Sequence, residues 1–284
     1  MTVRIDIEDL GVSYGDTCIW KNINLTLSEP GLVSILGPNG VGKSTLMYKI
    51  LEPTEGRVLI DGEDVEEMPF KDIAKKVAYV PQSSGETFAM TVMDTVLMGR
   101  YPHSGYTVTK EDLEIAADCL MKVHMGDYAM SMFNELSAGQ HQRVMVARGL
   151  AQEPELLMLD EPTSNLDIYH QISTMRLLRD IAHRRGIIVL VICHDLNVAS
   201  RFSDRMIMFS QGRIYADGTP EQVITPETIH NVYRVNADVT TVQNRPYVIY
   251  YAEEENDNAL HSERYANTTK ETIVDGAEQL RTEF

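Results

Sequence analysis

The chain has 284 residues, of which 43% are hydrophobic, so it is long enough for one large domain or two modest domains with a full core. Its 42 acidic residues outnumber 25 basic ones and give a net charge of −17, which argues against nucleic-acid binding because that needs Lys and Arg to replace the counterions of phosphates. No apolar run approaches the roughly 18 to 20 residues of a membrane span, and Arg4, Asp6 and Glu8 interrupt the first apolar segment, so we expect a cytoplasmic protein without a secretory leader.

Alternating residues near the start of the chain predict antiparallel strands. Residues 3–9 alternate between apolar and charged, and residues 23–27 alternate again. We expect these segments to form an antiparallel β subdomain that carries Tyr14. Taken alone, a tyrosine in such a strand is more often part of the sheet packing.

A glycine-rich segment follows the apolar run of residues 32–36 and fits the phosphate-binding pattern G-x-x-x-x-G-K-[ST]. Backbone N–H groups of such a loop form a nest for phosphate oxygens at the start of a helix. Lys43 would reach the β- and γ-phosphates, while the Ser44 hydroxyl would complete the coordination of Mg²⁺. The segment therefore indicates binding of ATP. It comprises Gly37, Pro38, Asn39, Gly40, Val41, Gly42, Lys43, Ser44 and Thr45.

Between about residues 86 and 150 the apolar spacing becomes helical, as at Val92 and Val96. We expect an inserted helical subdomain here, which ends on Leu136-Ser137-Ala138-Gly139-Gln140. Ser137 is placed to cap the next helix, whose positive end would face a phosphate. Taken alone, Ser137 is an ordinary N-cap.

Asp160 and Glu161 directly follow a second apolar run, residues 156–159, and so lie at the end of a predicted buried strand. Parallel-sheet folds place ligand groups at such strand ends. We expect Asp160 to hold Mg²⁺ and Glu161 to polarise the attacking water. The alternative is a solvated strand end without chemistry.

The rest of the chain predicts a helix over 168–184, a strand over 187–193 that ends at His194, and short strands at 205–209 and 213–216. Two further segments, 239–242 and 247–251, predict a hairpin-like extension within residues 236–252. An acidic tail, 253–284, follows, for which disorder is the default and a short docked segment the alternative.

The three cysteines show no metal-ligand spacing, so we expect reduced, buried thiols.

With these segments in one order, the first 235 residues or so resemble the nucleotide-binding subunits of ABC transporters. Leu136 to Gln140 resembles the family signature LSGGQ, with Ala138 where glycine is usual. The resemblance implies an α/β fold, with a P-loop NTPase core of ABC type, an antiparallel β subdomain and an inserted helical subdomain. It also implies an ATPase that pairs with a second copy of itself. Each ATP would then lie between the phosphate loop of one chain and residues 137–140 of the other.

Four more residues fall at family positions, and their roles rest on the resemblance. Tyr14 would stack on adenine, Gln82 would sense Mg²⁺ and connect to the membrane partner, Asp167 would cross the dimer seam, and His194 would contact the γ-phosphate. Catalysis would involve Glu161 together with Lys43, Gln82 and His194. The plain alternatives are a loop glutamine, a helix cap at Asp167 and a structural histidine.

The resemblance further implies transmembrane permease subunits as partners, an extracytoplasmic substrate-binding protein acting through them, and a place at the cytoplasmic face of the membrane. Residues 90–103, which include Gly99-Arg100-Tyr101-Pro102-His103, look like the matching segment of importers of iron-siderophore, haem and cobalamin. One alternative is a soluble ABC-type ATPase without a permease, as in iron–sulfur assembly. A nucleotide kinase is another, but it leaves residues 136–140 unexplained.

Overall fold

The computed structural model describes residues 3–14, 17–82, 89–103 and 107–251, without the side chains of residues 14, 17 and 18. Its contacts divide the chain into residues 1–249 and 250–284, and of the second unit only Tyr250 and Tyr251 are described. The predicted acidic tail therefore lies outside the described residues. Within the described ranges, no helix has the length and apolar character needed to cross a membrane.

Strands and helices alternate along most of the chain, as expected for an α/β protein. The strands are β1 (Ile5–Tyr14), β2 (Thr17–Leu27), β3 (Gly31–Leu36), β4 (Glu55–Ile60), β5 (Glu63–Asp64), β6 (Val77–Val80), β7 (Leu156–Leu159), β8 (Ile188–Ile192), β9 (Arg205–Ser210), β10 (Arg213–Gly218), β11 (Ala237–Val242) and β12 (Arg245–Tyr250). The helices are α1 (Lys43–Leu51), α2 (Phe70–Lys76), α3 (Val92–Leu97), α4 (Lys110–Lys122), α5 (Ala138–Ala151), α6 (Ile168–Arg185), α7 (Leu196–Phe202), α8 (Pro220–Val223) and α9 (Pro226–Tyr233).

The predicted antiparallel sheet is present, with strand order β2-β1-β4-β5. Strand β1 pairs antiparallel with β2, for example Ile7 opposite Leu25, and with β4 on its other side. The alternation of the sequence matches burial, since Ile5 and Ile7 are buried while Glu8 is exposed. One face of this sheet therefore contributes to the core and the other faces solvent.

A second sheet of six strands has the order β10-β9-β3-β8-β7-β6, with parallel pairing throughout except between β9 and β10. Strands β3, β7 and β8 are buried along their whole length, because helices cover both faces of such a sheet. In parallel strands the carboxyl ends meet at one edge. The phosphate loop after β3, Gln82 after β6, Asp160 after β7 and His194 after β8 are therefore brought to the same edge.

Helices α3, α4 and α5 form the predicted helical segment, joined by a buried ion pair. The Arg100 guanidinium lies 2.9 Å from Asp112 Oδ1 and donates to the carbonyl oxygen of Ala151 at 2.7 Å. Arg100 and Asp112 are both buried, and Asp112 also completes the capping box of α4 with Thr109. The run from Gly99 to His103 thus has a structural role that helix periodicity does not indicate. It fastens the end of α3 to α4 and to the end of α5.

The C-terminal hairpin β11–β12 packs on α7. Asn197 donates to the carbonyl oxygen of Val248 at 3.1 Å and accepts its N–H at 2.7 Å, while Ser200 Oγ donates to the carbonyl oxygen of Pro246 at 2.7 Å. Val248 is buried in one apolar cluster with residues of α7 and α9. The hairpin is therefore fixed to the helix that follows His194.

Candidate functional site

The phosphate loop is packed too closely for side chains at two of its glycines. Gly37 and Gly42 have φ of 145° and 93°, values that disfavour any residue with a Cβ. A Cβ on Gly37 would collide with the carbonyl oxygen of Phe209, and one on Gly42 would collide with the indole of Trp20. Helix α1 begins directly after Gly42, so its positive end and free N–H groups lie at the loop, where they favour a bound phosphate.

Trp20 holds the loop from the neighbouring antiparallel sheet, and sequence reasoning missed it. Its Nε1–H donates to the carbonyl oxygen of Val41 at 2.7 Å, and its side chain is buried. Trp20 lies in an alternating strand, where an aromatic residue is ordinary. Because the contact joins residues 21 positions apart, no local pattern indicates it.

We expect Trp20→Phe to weaken ATP binding about tenfold, or about 1.4 kcal/mol. The substitution leaves the part-buried Val41 carbonyl without its indole donor, and an unsatisfied polar group costs up to about 1–3 kcal/mol when it is buried. Titration calorimetry with ATP gives the affinity. Tyr215→Phe is the matched control, since it removes the Tyr215 hydroxyl that accepts from Asn231 at 2.8 Å far along the chain from the loop. An unchanged ATP affinity in Trp20→Phe would mean that the loop does not depend on the indole.

Lys43 lies folded over the phosphate loop. Its Nζ donates to the carbonyl oxygens of Gly37 at 2.8 Å and Pro38 at 2.9 Å, and only 6% of the residue is exposed. Burial lowers the pKa of Lys43, while the charges of Glu161 and Asp160 oppose that shift. The ammonium group is thus held over the phosphate loop by hydrogen bonds to two neutral carbonyl oxygens, which charged phosphate oxygens can replace.

Asp160 lies beside Ser44 at the start of α1. Ser44 Oγ donates to Asp160 Oδ1 at 3.1 Å, and the Tyr79 hydroxyl donates to Oδ2 at 3.4 Å. Burial raises the pKa of Asp160, and the hydrogen bonds from Ser44 and Tyr79 oppose the shift. Among the described residues, no cluster of three His, Cys, Asp or Glu side chains forms a metal site. A single carboxylate with a hydroxyl fits Mg²⁺, which takes its remaining ligands from substrate phosphates and water.

Glu161 brings together residues from three strand ends. Its Oε2 accepts from Gln82 Nε2 at 3.0 Å, and its Oε1 lies 2.5 Å from His194 Nε2. Gln82 also donates to Ser164 Oγ at 3.3 Å. The φ of Glu161 is 48°, a left-handed conformation that is uncommon outside glycine and frequent at functional sites. A carboxylate held in this way can accept a proton from a nearby water.

Lys43, Ser44, Glu161 and His194 line a cleft of about 460 Å³, within the roughly 300–1,000 Å³ of ligand pockets. Gln82 and Asp160 contact these residues but are not among the described residues that line it. Tyr14 ends β1, but its side chain lies outside the described part, and so does the proposed adenine contact. The described residues that line the cleft are Ile19, Asn39, Gly40, Gly42, Lys43, Ser44, Thr45, Glu161 and His194.

Residues of the signature do not line this cleft in the described part of the chain. Ser137 is the N-cap of α5 as predicted, and it forms a capping box with Gln140; Ala138 is the first residue of the helix. Asp167 is the N-cap of α6, accepting the N–H of His170 at 2.9 Å, and this hydrogen bond lowers its pKa. The cap interpretation therefore holds for both residues, beside any role at a dimer seam.

His170 lies between the N-cap of α6 and Gly139 in the first turn of α5, and sequence reasoning missed it as well. Its Nδ1 lies 2.9 Å from Asp167 Oδ1, and its ring carbon Cδ2 would lie 3.1 Å from a Cβ on Gly139. Gly139 therefore leaves room for the His170 ring to lie against the signature. A histidine one turn into a polar helix surface gives no signal for this contact.

The comparisons with known proteins agree with this geometry. A model of the ABC transporter family matches residues 20–164. An uncharacterized ABC transporter ATP-binding protein of Methanocaldococcus jannaschii is 43% identical over 248 residues, which cover 86% of this chain and 97% of that protein. The iron(3+)-hydroxamate import ATP-binding protein FhuC of Bacillus subtilis is 37% identical over 254 residues, covering 87% and 94%.

Two solved structures are similar as well. A metal-chelate type ABC transporter in an inward-facing conformation has a chain that superposes with a TM-score of 0.77 at 25% identity, covering 89% of this chain and 99% of that one. A bacterial ABC transporter cassette solved as a dimer has a TM-score of 0.66 at 31% identity, covering 76% and 98%. The predicted α/β fold of ABC type is thereby confirmed. The chain belongs to the ABC transporter family, as an ATP-binding subunit that hydrolyses ATP.

Proposed function

We propose that this chain powers a membrane permease that imports a metal chelate, such as an iron-siderophore, haem or cobalamin complex. The observation that carries the ATPase part is the grouping of Gln82, Glu161 and His194 beside the phosphate loop. The import part is supported by the relative named as an iron(3+)-hydroxamate import protein and by the similar chain of a metal-chelate type transporter.

Within the cleft, we assign Lys43 to the β- and γ-phosphates, Glu161 to orienting and deprotonating the attacking water, and His194 to the γ-phosphate. Ser44, Asp160 and Gln82 would hold Mg²⁺, which neutralises phosphate charge when it is bound. The hydrogen bond from Gln82 and the contact with His194 keep the Glu161 carboxylate at the end of β7. Its position near Lys43 allows a proton to be taken from water on the side of the γ-phosphate.

A second copy of the chain would complete each site. Ser137 to Gln140 do not line the cleft of their own chain, and the similar cassette solved as a dimer supports a paired arrangement. Such a pairing is isologous and closes under two-fold symmetry. We further assign the pair to the cytoplasmic face of the membrane, peripheral to the permease, with an extracytoplasmic substrate-binding protein as indirect partner.

The surface beside α3 is our candidate for permease docking. Val92 and Val96 are fully buried, which makes them core residues. Met93, Leu97 and Met98 are only partly buried and offer adaptable apolar surface. Helix α3 begins ten residues after Gln82, whose side chain donates to Glu161.

We expect Met98→Glu to leave ATP affinity within about threefold, near 0.7 kcal/mol, and to abolish stable association with the permease. The reason is that a carboxylate on the docking surface would be buried unpaired in the complex. Co-purification with the permease and ATP titration of the isolated subunit measure the two effects. Met121→Glu is the matched control, because Met121 is 66% exposed on α4 of the same helical segment.

If Met98→Glu still associates with the permease, this surface is not the docking site. The same conclusion follows if Met121→Glu loses the association equally. Failure of Met98→Glu to fold, judged by circular dichroism, would place Met98 in the core and equally remove it. Full activity of the wild-type chain in an extract without a membrane subunit would favour the soluble ATPase instead.

A further inference from the structure

A second cleft, of about 390 Å³, lies away from the ATP site. We call it the arginine pocket, and its charged and amide side chains come from α6 (Arg176, Arg179, Asp180 and His183), α7 (Arg201) and the hairpin (Gln243 and Arg245). The four residues of α6 lie on one helix face, since they are spaced i, i+3, i+4 and i+7.

The arginine pocket lies toward the opposite edge of the six-stranded sheet from the phosphate loop. His183 Nε2 lies 2.7 Å from Asp204 Oδ2, and the same carboxylate oxygen accepts the N–H of Leu32 at 2.8 Å. Leu32 is near the start of β3, whereas the phosphate loop follows its end. The length of β3, about six residues or about 20 Å, therefore separates the pocket end of the strand from the phosphate loop.

The pocket concentrates positive charge in a chain of net charge −17. Among the described residues that line it, four are arginines and one, Asp180, is acidic. Arg245 lies 3.5 Å from Glu221, and Arg201 donates to the neutral Gln243. Within the described part of the chain, Arg176 and Arg179 have neither an ion pair nor a side-chain hydrogen bond. Four guanidinium groups beside one lining carboxylate leave an excess of positive charge whose members repel one another, so the site favours an anion.

Two walls of the pocket, α7 and the hairpin, are joined to each other by hydrogen bonds. Arg201 lies on α7 next to Ser200, whose hydroxyl donates to the carbonyl oxygen of Pro246, and Pro246 follows Arg245. Asn197 secures the same hairpin through both backbone groups of Val248. Helix and hairpin therefore present Arg201 and Arg245 from rigid supports, which lowers the entropy cost of binding.

We propose that the arginine pocket binds an anion that carries two or more phosphoryl groups. Guanidinium groups match phosphate oxygens in bidentate geometry, and Arg is the preferred side chain for this recognition. The volume of about 390 Å³ exceeds what a single phosphate fills, since a water occupies about 30 Å³ of liquid. The anion is either free in solution or the headgroup of a phospholipid, and both present the same oxygens.

The test uses inorganic pyrophosphate as the probe, with the full chain and its ATP site filled by a non-hydrolysable ATP analogue. We expect calorimetry to detect binding that the double substitution Arg176→Gln with Arg179→Gln weakens at least about tenfold. The matched control is Arg184→Gln with Arg213→Gln, which removes the same charge at exposed arginines that do not line the pocket. Unchanged melting temperatures establish that each variant is folded.

A parallel arm measures sedimentation with vesicles of phosphatidylcholine containing cardiolipin, whose headgroup carries two phosphates, compared with phosphatidylcholine alone. Vesicle binding that is lost only in the Arg176/Arg179 variant assigns the anion to a lipid headgroup, whereas pyrophosphate binding by a wild-type chain that does not bind the vesicles assigns it to a free anion. The proposal is wrong if the wild-type chain binds neither pyrophosphate nor the vesicles. It is also wrong if the two double variants weaken this binding equally. Citrate that binds as tightly as pyrophosphate would overturn the preference for phosphoryl groups.

Discussion

Glu161→Gln is expected to bind ATP and Mg²⁺ and to lose nearly all turnover, leaving a stable dimer. The glutamine amide cannot accept a proton from the attacking water, and a general base contributes about 10²–10⁴-fold to a rate. Lys43, Ser44 and Asp160 are unchanged, so the contacts proposed for them with the phosphates and Mg²⁺ stay. One amide oxygen can still accept from Gln82, as Oε2 does now, so the end of β7 keeps a hydrogen bond.

Size-exclusion chromatography with mass detection, in ATP and Mg²⁺, measures the trapped dimer, and phosphate release measures turnover. Glu155→Gln is the matched control, because Glu155 directly precedes β7 and the substitution makes the same charge change at its other end. We expect Glu155→Gln to turn over ATP normally. Full hydrolysis by Glu161→Gln would assign water activation to another group.

Mixing Lys43→Ala with Ser137→Arg is expected to restore activity that each variant lacks alone. If Ser137 serves the partner's ATP, a mixed dimer has one intact site, built from the Lys43 of one chain and the Ser137 of the other. Random pairing of equal amounts makes about half of the dimers mixed, so about a quarter of wild-type activity should return if sites act independently. Phosphate release as a function of mixing ratio measures the recovery.

Loss of the helix cap needs its own control in that experiment. Thr109 caps α4 with the same kind of capping box that Ser137 makes for α5, so Thr109→Arg tests the cost of removing a cap from the helical segment. An N-cap is worth about 1 kcal/mol, and we expect Thr109→Arg to retain ATP hydrolysis. If mixed dimers form and no activity returns, the signature and the phosphate loop act within one chain.

The features that were predictable are those with a local pattern. The buried run of β3, the glycine loop and helix α1 follow one another within 21 residues, and each has a distinct signal in residue type or spacing. The caps at Ser137 and Asp167 are equally local, because a cap is recognised by the residue and the turn that follows it. Parallel pairing then brings the strand ends together, which is why Gln82, Asp160 and His194 are close although far apart in the chain. Their catalytic roles stay predictions, which the experiments above test.

What the sequence could not indicate is contact between distant side chains on otherwise ordinary elements. Trp20 meets the phosphate loop from another sheet, and His170 lies against Gly139 from another helix. Arg100 belongs to residues 90–103, which resemble the matching segment of importers, yet its buried ion pair with Asp112 makes it a structural residue. Arg176 and Arg201 are distributed along an acidic chain, so only the fold reveals that they share a pocket.

Arg100 fixes the C-terminal end of α5, so any tilt of this helix displaces its N-terminal end most. Arg100 is bound to the carbonyl oxygen of Ala151, the last residue of α5, and Gly99 lies so close to Arg148 that a Cβ there would collide with its carbonyl oxygen. Ser137 stands at the other end of this 14-residue helix, about 21 Å away. A tilt of α5 by about 5° about its fixed end therefore moves Ser137 sideways by about 2 Å. Misplacement of about 1 Å in a reacting geometry can cost about 10²-fold in rate, so in the proposed composite site such a tilt of α5 would be enough to change the rate of hydrolysis.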